Sequence, residues 1–153
     1  MRPLTPLAAA CAAALLASGA RASPAQDYIL YCMGCHGAEA QGVPGKVPAL
    51  AGSIALFMRS ADGRNYLLGV PGAANSALTD AQLAAVLNWL AERYPAAAAA
   101  TPPGAPPGAP PPPPFSAAEV AGLRHTPLAD VRARRREVVR ALAASGPAPP
   151  AEY

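Results

Sequence analysis

Cys32-Met33-Gly34-Cys35-His36 decides how the rest of this 153-residue chain is understood. On a helix, Cys32 and Cys35 are three residues apart and His36 is four from Cys32, so two thiols and an imidazole project from one face. That set suits one haem: the thiols add to its vinyl groups while the imidazole of His36 reaches the iron. Gly34 leaves room for the porphyrin edge to lie against the helix. Other uses of a C-x-x-C pair fit poorly. A thiol redox motif sits near a βαβ pattern, whereas the surroundings here are helical and Ala-rich. A zinc knuckle needs two more ligands at short spacing, and the remaining Cys11 and His125 are not placed to supply them. The motif predicts one covalent haem c on Cys32 and Cys35, with His36 as axial ligand.

Haem is attached to such a motif outside the cytoplasm, and the chain opens with a matching Sec-type export signal. Arg2 supplies a weak positive start, Leu7 to Ala17 an apolar run, and Ala20-Arg21-Ala22 an A-x-A cleavage site. The run is too short to span a bilayer and no stop-transfer pattern follows. Cys11 lies inside the run rather than at its end, which argues against lipidation. A periplasmic protein with no transmembrane anchor is expected. Losing Arg2 and Arg21 lowers the formal charge of +3 by two, to about +1, so the basic balance makes no case for nucleic acid.

Composition breaks sharply at Pro95. Residues 96–114 are Ala, Pro and Gly apart from Thr101, ending in Pro110 to Pro114; such a stretch is expected to be a disordered, extended spacer. The expected organisation is a signal peptide at 1–22, a haem domain at 23–95, this linker at 96–114, a basic helical hairpin at 115–145 and a disordered end at 146–153. A unit of about 70 residues seldom buries enough apolar surface unaided. Haem would complete its core, and without haem the unit should fold poorly.

The helices of that unit are marked by their caps. Ser23, with Pro24 and Gln26, opens a helix carrying Tyr28, Ile29 and Tyr31 into the Cys32 motif. Thr79, with Gln82 and a Leu78–Leu83 staple, opens another in which Leu83, Val86, Leu87, Leu90 and Tyr94 share one face and Pro95 marks the end. Ser53–Met58 and Gly63–Leu68 read as shorter helices, Gly69 as a stop and Val70-Pro71-Gly72 as a turn. No segment alternates with strand period, so the fold class is all-α.

These pieces together resemble a class I cytochrome c over about residues 25–94. Cys32–His36, the Pro48-Ala49-Leu50-Ala51-Gly52 segment and the Thr79–Tyr94 helix carry the resemblance. It implies a haem-wrapping helical fold and single-electron transfer rather than enzymatic catalysis. It also implies a proline about a dozen residues after the haem histidine, here Pro48, whose carbonyl accepts the imidazole N–H and fixes the ring. The implied partners are periplasmic redox proteins: a dehydrogenase as donor and an oxidase or another cytochrome as acceptor. The residues themselves agree that hydrolytic chemistry is remote, since residues 23–95 contain no second His.

One departure stands out. The family carries its sixth ligand, a methionine, in the loop before the last helix, and here that loop, Gly69 to Leu78, has none. Met33 sits inside the haem motif and cannot cross to the other face. Met58, beside Phe57, suits core packing as well as ligation. Asn75 lies where the loop should pass over the iron, though Asn is also an ordinary turn residue; His125 would have to reach in from the tail. The sixth ligand is therefore Met58, Asn75 or none. Soft sulfur would make a shuttle of raised potential. A weak or absent ligand would admit oxygen, nitric oxide or peroxide, giving a gas-binding or minor peroxidase-like protein, although the 69–78 loop offers no distal acid or base.

In the tail, Phe115-Ser116-Ala117-Ala118-Glu119-Val120 spells a capping box with a Phe115–Val120 staple. Thr126-Pro127 opens a further helix with Leu128, Val131, Val138 and Leu142 on one stripe and Arg132, Arg134, Arg135, Arg136 and Arg140 around it. The expectation is a hairpin folded back on the domain, its basic face solvated and its residues outside the haem pocket. Docking to an acidic partner or to anionic lipid is the alternative.

Overall fold

The computed structural model describes residues 22–96, 110–126 and 128–152. The predicted signal peptide up to residue 21, linker residues 97–109 and Pro127 lie outside them. Among the described residues the elements are all helical: α1 (Pro24–Tyr31), α2 (Met33–His36), α3 (Ile54–Phe57), α4 (Ala61–Gly69), α5 (Pro71–Ala74), α6 (Asp80–Arg93), α7 (Ala117–Leu123) and α8 (Val131–Ala143). The β-type pairing found is one isolated bridge, Val43 with Val47. The all-α expectation holds.

Both predicted capping boxes of the domain form. Ser23 Oγ accepts from Gln26 N and Gln26 Oε1 accepts from Ser23 N, with Pro24 at the first helical position. Thr79 and Gln82 repeat the exchange at α6. Gln82 does more: its Nε2 donates to both carboxylate oxygens of Asp27, at 3.2 and 3.4 Å, across the contact between α1 and α6. Asp27 is 2% exposed, a burial a charged residue tolerates only with partners. Tyr28 beside it stacks on Trp89, ring centroids 5.6 Å apart. The first and last helices of the domain are thus joined by one polar and one aromatic contact.

Leu83, Val86, Leu87 and Leu90 form the buried stripe of α6, meeting Ile54, Phe57, Tyr66 and Leu68 from α3 and α4. The predicted middle helices appear at slightly shifted bounds. Ser60 rather than Gly63 opens α4, its Oγ accepting from Gly63 N. Val70-Pro71-Gly72, expected as a turn, instead begins the single turn α5, because Pro71 stands at the first helical position where its missing N–H costs nothing.

The tail departs further from expectation. Ser116 caps α7 by accepting from Glu119 N, but the Glu119 carboxylate does not complete the box. It forms a two-point pair with Arg64 of α4, at 2.5 and 2.6 Å. Arg64 also donates to the carbonyls of Pro113 and Pro114 and lies 3.9 Å over the Phe115 ring. The second tail helix starts at Val131, not Thr126, because Asp130 accepts from Ala133 N. Residues 146–152, expected as a disordered end, are held: Arg135 donates to the carbonyls of Pro150 and Ala151, and Pro149 is buried.

Candidate haem site

Cys32 interrupts the helix between α1 and α2 with φ −126° and ψ −38°, yet its carbonyl accepts from both Cys35 N and His36 N. The motif therefore keeps a helical turn, and Cys32, Cys35 and His36 all line one cavity. Both cysteines are free thiols. Burial pushes the Cys32 thiol pKa up, helped by the charge of Asp27. No atom lies within 4 Å of where a Cβ on Gly34 would stand, so the outer face of the motif is open.

After His36 the chain loops back on itself. Gly42 N donates to the His36 carbonyl, and Val43 and Val47 bridge. Gly42 has φ +68°, and an added Cβ would collide with the backbone of Val47 and Pro48, so glycine is required there. Leu50 N and Ala51 N both donate to the carbonyl of Ala40. The loop delivers the Pro48 carbonyl to 3.0 Å from His36 Nδ1. A carbonyl only accepts, so Nδ1 carries the proton and Nε2 keeps its lone pair. Burial lowers the His36 pKa, partly offset by this hydrogen bond; the neutral imidazole is the form that ligates. Tyr28, whose hydroxyl burial pushes up to about 12, stays a donor and holds the Gly37 carbonyl at 2.6 Å.

The rest of the cavity is mainly apolar: Ile54, Phe57, Leu67, Leu83, Val86 and Leu90 are among the residues that line it. Two thiols and an unprotonated imidazole nitrogen facing an apolar slot match haem, a flat apolar ring with one metal at its centre.

Neither residue proposed from sequence as sixth ligand lines this cavity. Met58 ends α3 and packs into the core at 2% exposure, and Asn75, just past α5, is exposed. His125 is exposed in the tail and is also absent from the lining. From the loop before α6, Gly72, Ala73 and Ser76 reach the cavity instead. The expectation that residues 115–145 stay outside the pocket fails: Val131 and Arg135 of α8 line it. No local signal in the sequence announces this, because the linker hides where the tail folds back.

No protein-family model matches the chain. Two curated relatives do. One is a cytochrome c-552 of Thermus thermophilus, 33% identical over 97 residues that cover 50% of this chain and 66% of the relative. The other, also a cytochrome c-552 of Thermus thermophilus, is 35% identical over 78 residues, covering 39% and 60%. The match thus spans less than two thirds of either relative. The helical fold, the Cys32–His36 cavity and the similarity to these two relatives together support a class I c-type cytochrome.

Proposed function

We propose that this chain is an exported, single-haem electron carrier that passes one electron at a time between a periplasmic dehydrogenase and an oxidase or second cytochrome. The observation that carries the reading is the convergence of Cys32, Cys35 and a His36 imidazole oriented by Pro48 on one apolar cavity. Haem bound there would supply a one-electron iron couple. The two cysteines would hold it as thioethers and Nε2 of His36 would ligate the iron. The Pro48 carbonyl keeps the imidazole ring from turning and raises its basicity. The side chains of α3, α4 and α6 keep water from the ring, and burial of this kind is one lever on reduction potential. No bond to a substrate forms or breaks: one electron enters from the donor and one leaves to the acceptor. Among the described residues no helix is long and apolar enough to cross a membrane, which accords with a periplasmic protein.

One observation favours a second reading. No Met, and no His besides His36, is among the described residues lining the cavity, so the sixth iron position would be weakly ligated or open, as in a haem protein that binds small ligands or acts as a minor peroxidase. Voltammetry of the holoprotein separates the two. A carrier is expected to give one reversible one-electron wave that carbon monoxide shifts only slowly. A wave displaced at once by carbon monoxide would make ligand binding the primary function.

A further inference from the structure

We propose that the C-terminal helices are a lid over the haem cavity and that Arg124 is the positioning residue that keeps it closed. The inference rests on the haem reading above and concerns the loop between α4 and α6, where this family carries its sixth ligand. That loop has no Met here, so no iron–sulfur bond is available to pin it. Arg124 pins it instead. Its guanidinium, on a residue only 5% exposed, donates from Nη1 to the Leu78 carbonyl at 2.9 Å and to Asp80 Oδ1 at 3.0 Å. Nη2 donates to the Ser76 carbonyl at 2.7 Å and to the Ala73 carbonyl at 3.4 Å. One planar fork thus gathers three carbonyls of the loop and the first residue of α6, a geometry that a lysine's point charge cannot reproduce. Ala73 and Ser76, whose carbonyls it holds, line the cavity.

The same tail then closes the wall. Leu128 seats against Gly69 at the end of α4, where an added Cβ would stand 3.0 Å from Leu128 Cγ. Further along the tail, at the start of α8, Val131 and Arg135 enter the lining. Arg135 is 3% exposed, held by the carbonyls of Pro150 and Ala151 and 5.3 Å over the Phe57 ring. Two anchors remote from the loop fix the tail's start: the Arg64–Glu119 pair and Asn88, which exchanges two hydrogen bonds with the Phe115 backbone at 2.7 and 3.0 Å. A tail that served stability alone would need the anchors but not a clamp on Ala73 and Ser76, two residues that line the cavity.

The test is the rate at which carbon monoxide binds the chemically reduced holoprotein, in the wild type, in Arg124→Gln and in Arg124→Lys. Removing even one charge-assisted bond of ordinary strength raises the population of an opened loop about tenfold. Arg124→Gln should therefore bind carbon monoxide about tenfold faster or more, and Arg124→Lys should recover only part of the difference. Arg59→Gln, at an exposed position between α3 and α4, should bind at the wild-type rate. Equal rates in haem-loaded wild type and Arg124→Gln, or binding by neither, overturn the proposal. Should Arg124→Gln fail to load haem, amide hydrogen exchange on wild-type holoprotein decides: residues 70–78 and 117–126 must open together, and independent exchange refutes the lid. A wild-type chain that binds no haem refutes the underlying haem reading, not the lid.

Discussion

Met58 shows how a single residue can carry the right chemistry in the wrong place. Its thioether is the soft donor that a class I cytochrome uses, yet the residue is 2% exposed in the core and is not among those lining the cavity. Met58→Leu roughly conserves volume, so it should cost under about 1.5 kcal/mol and leave the oxidised spectrum and the reduction potential unchanged. Asn75→Ala should leave both unchanged too. A fall in potential with a turn to high-spin iron in Met58→Leu would show that Met58 reaches the iron after all. His36 was legible from the C-x-x-C-H motif itself, whereas the role of Pro48 came only through the resemblance, which implies a proline about a dozen residues after the haem histidine. The burial of Asp27 was not: its partner Gln82 is 55 residues away, and nothing near Asp27 announces it.

At the scale of elements, what was legible was local. Ser23 with Gln26 and Thr79 with Gln82 are signals three residues long, and both boxes form as the spacing demands. The same pattern at Ser116 misled by half. Glu119 had a better partner in Arg64, because a bidentate pair with a guanidinium outweighs a hydrogen bond to an exposed backbone N–H. That pair has a pH signature. Its hydrogen bonds to Arg64 hold the Glu119 carboxyl below its ordinary value. A carboxylate whose folded pKa is depressed contributes stability that is present above its unfolded pKa, about 4.3 for Glu, and is lost as pH falls through the lower folded value. Hydrogen exchange measured between neutral pH and about pH 3 should therefore show residues 115–145 losing protection in acid before residues 23–95. Glu119→Gln should already be less protected at neutral pH and respond less to acid. Equal pH responses in the wild type and Glu119→Gln would remove this pair from the tail's attachment.

Across the whole molecule, the capped helices of residues 23–95 were legible in the sequence and the placement of the tail was not. A run of Pro and Ala disconnects the tail's own periodicity from any hint of where it docks. The arginines that looked like a solvated basic face are largely spent within the chain. Arg134 pairs with Asp62 and Glu137, Arg135 holds the C-terminal carbonyls, and Arg136 lies 3.6 Å from Glu152; Arg124, outside that face, clamps the loop before α6. The molecule is a small haem fold whose cavity draws its lining from both parts. A cavity walled by Ile54, Phe57, Leu83, Val86 and Leu90 suits a largely apolar group, which would give these side chains packing partners. The most direct test of the account is whether haem stays on the unfolded chain. Exported wild-type protein, denatured and separated by size, should retain haem colour on the polypeptide. The double variant Cys32→Ala, Cys35→Ala should lose it and accumulate poorly. Abundant, normally coloured protein from that double variant would contradict the account.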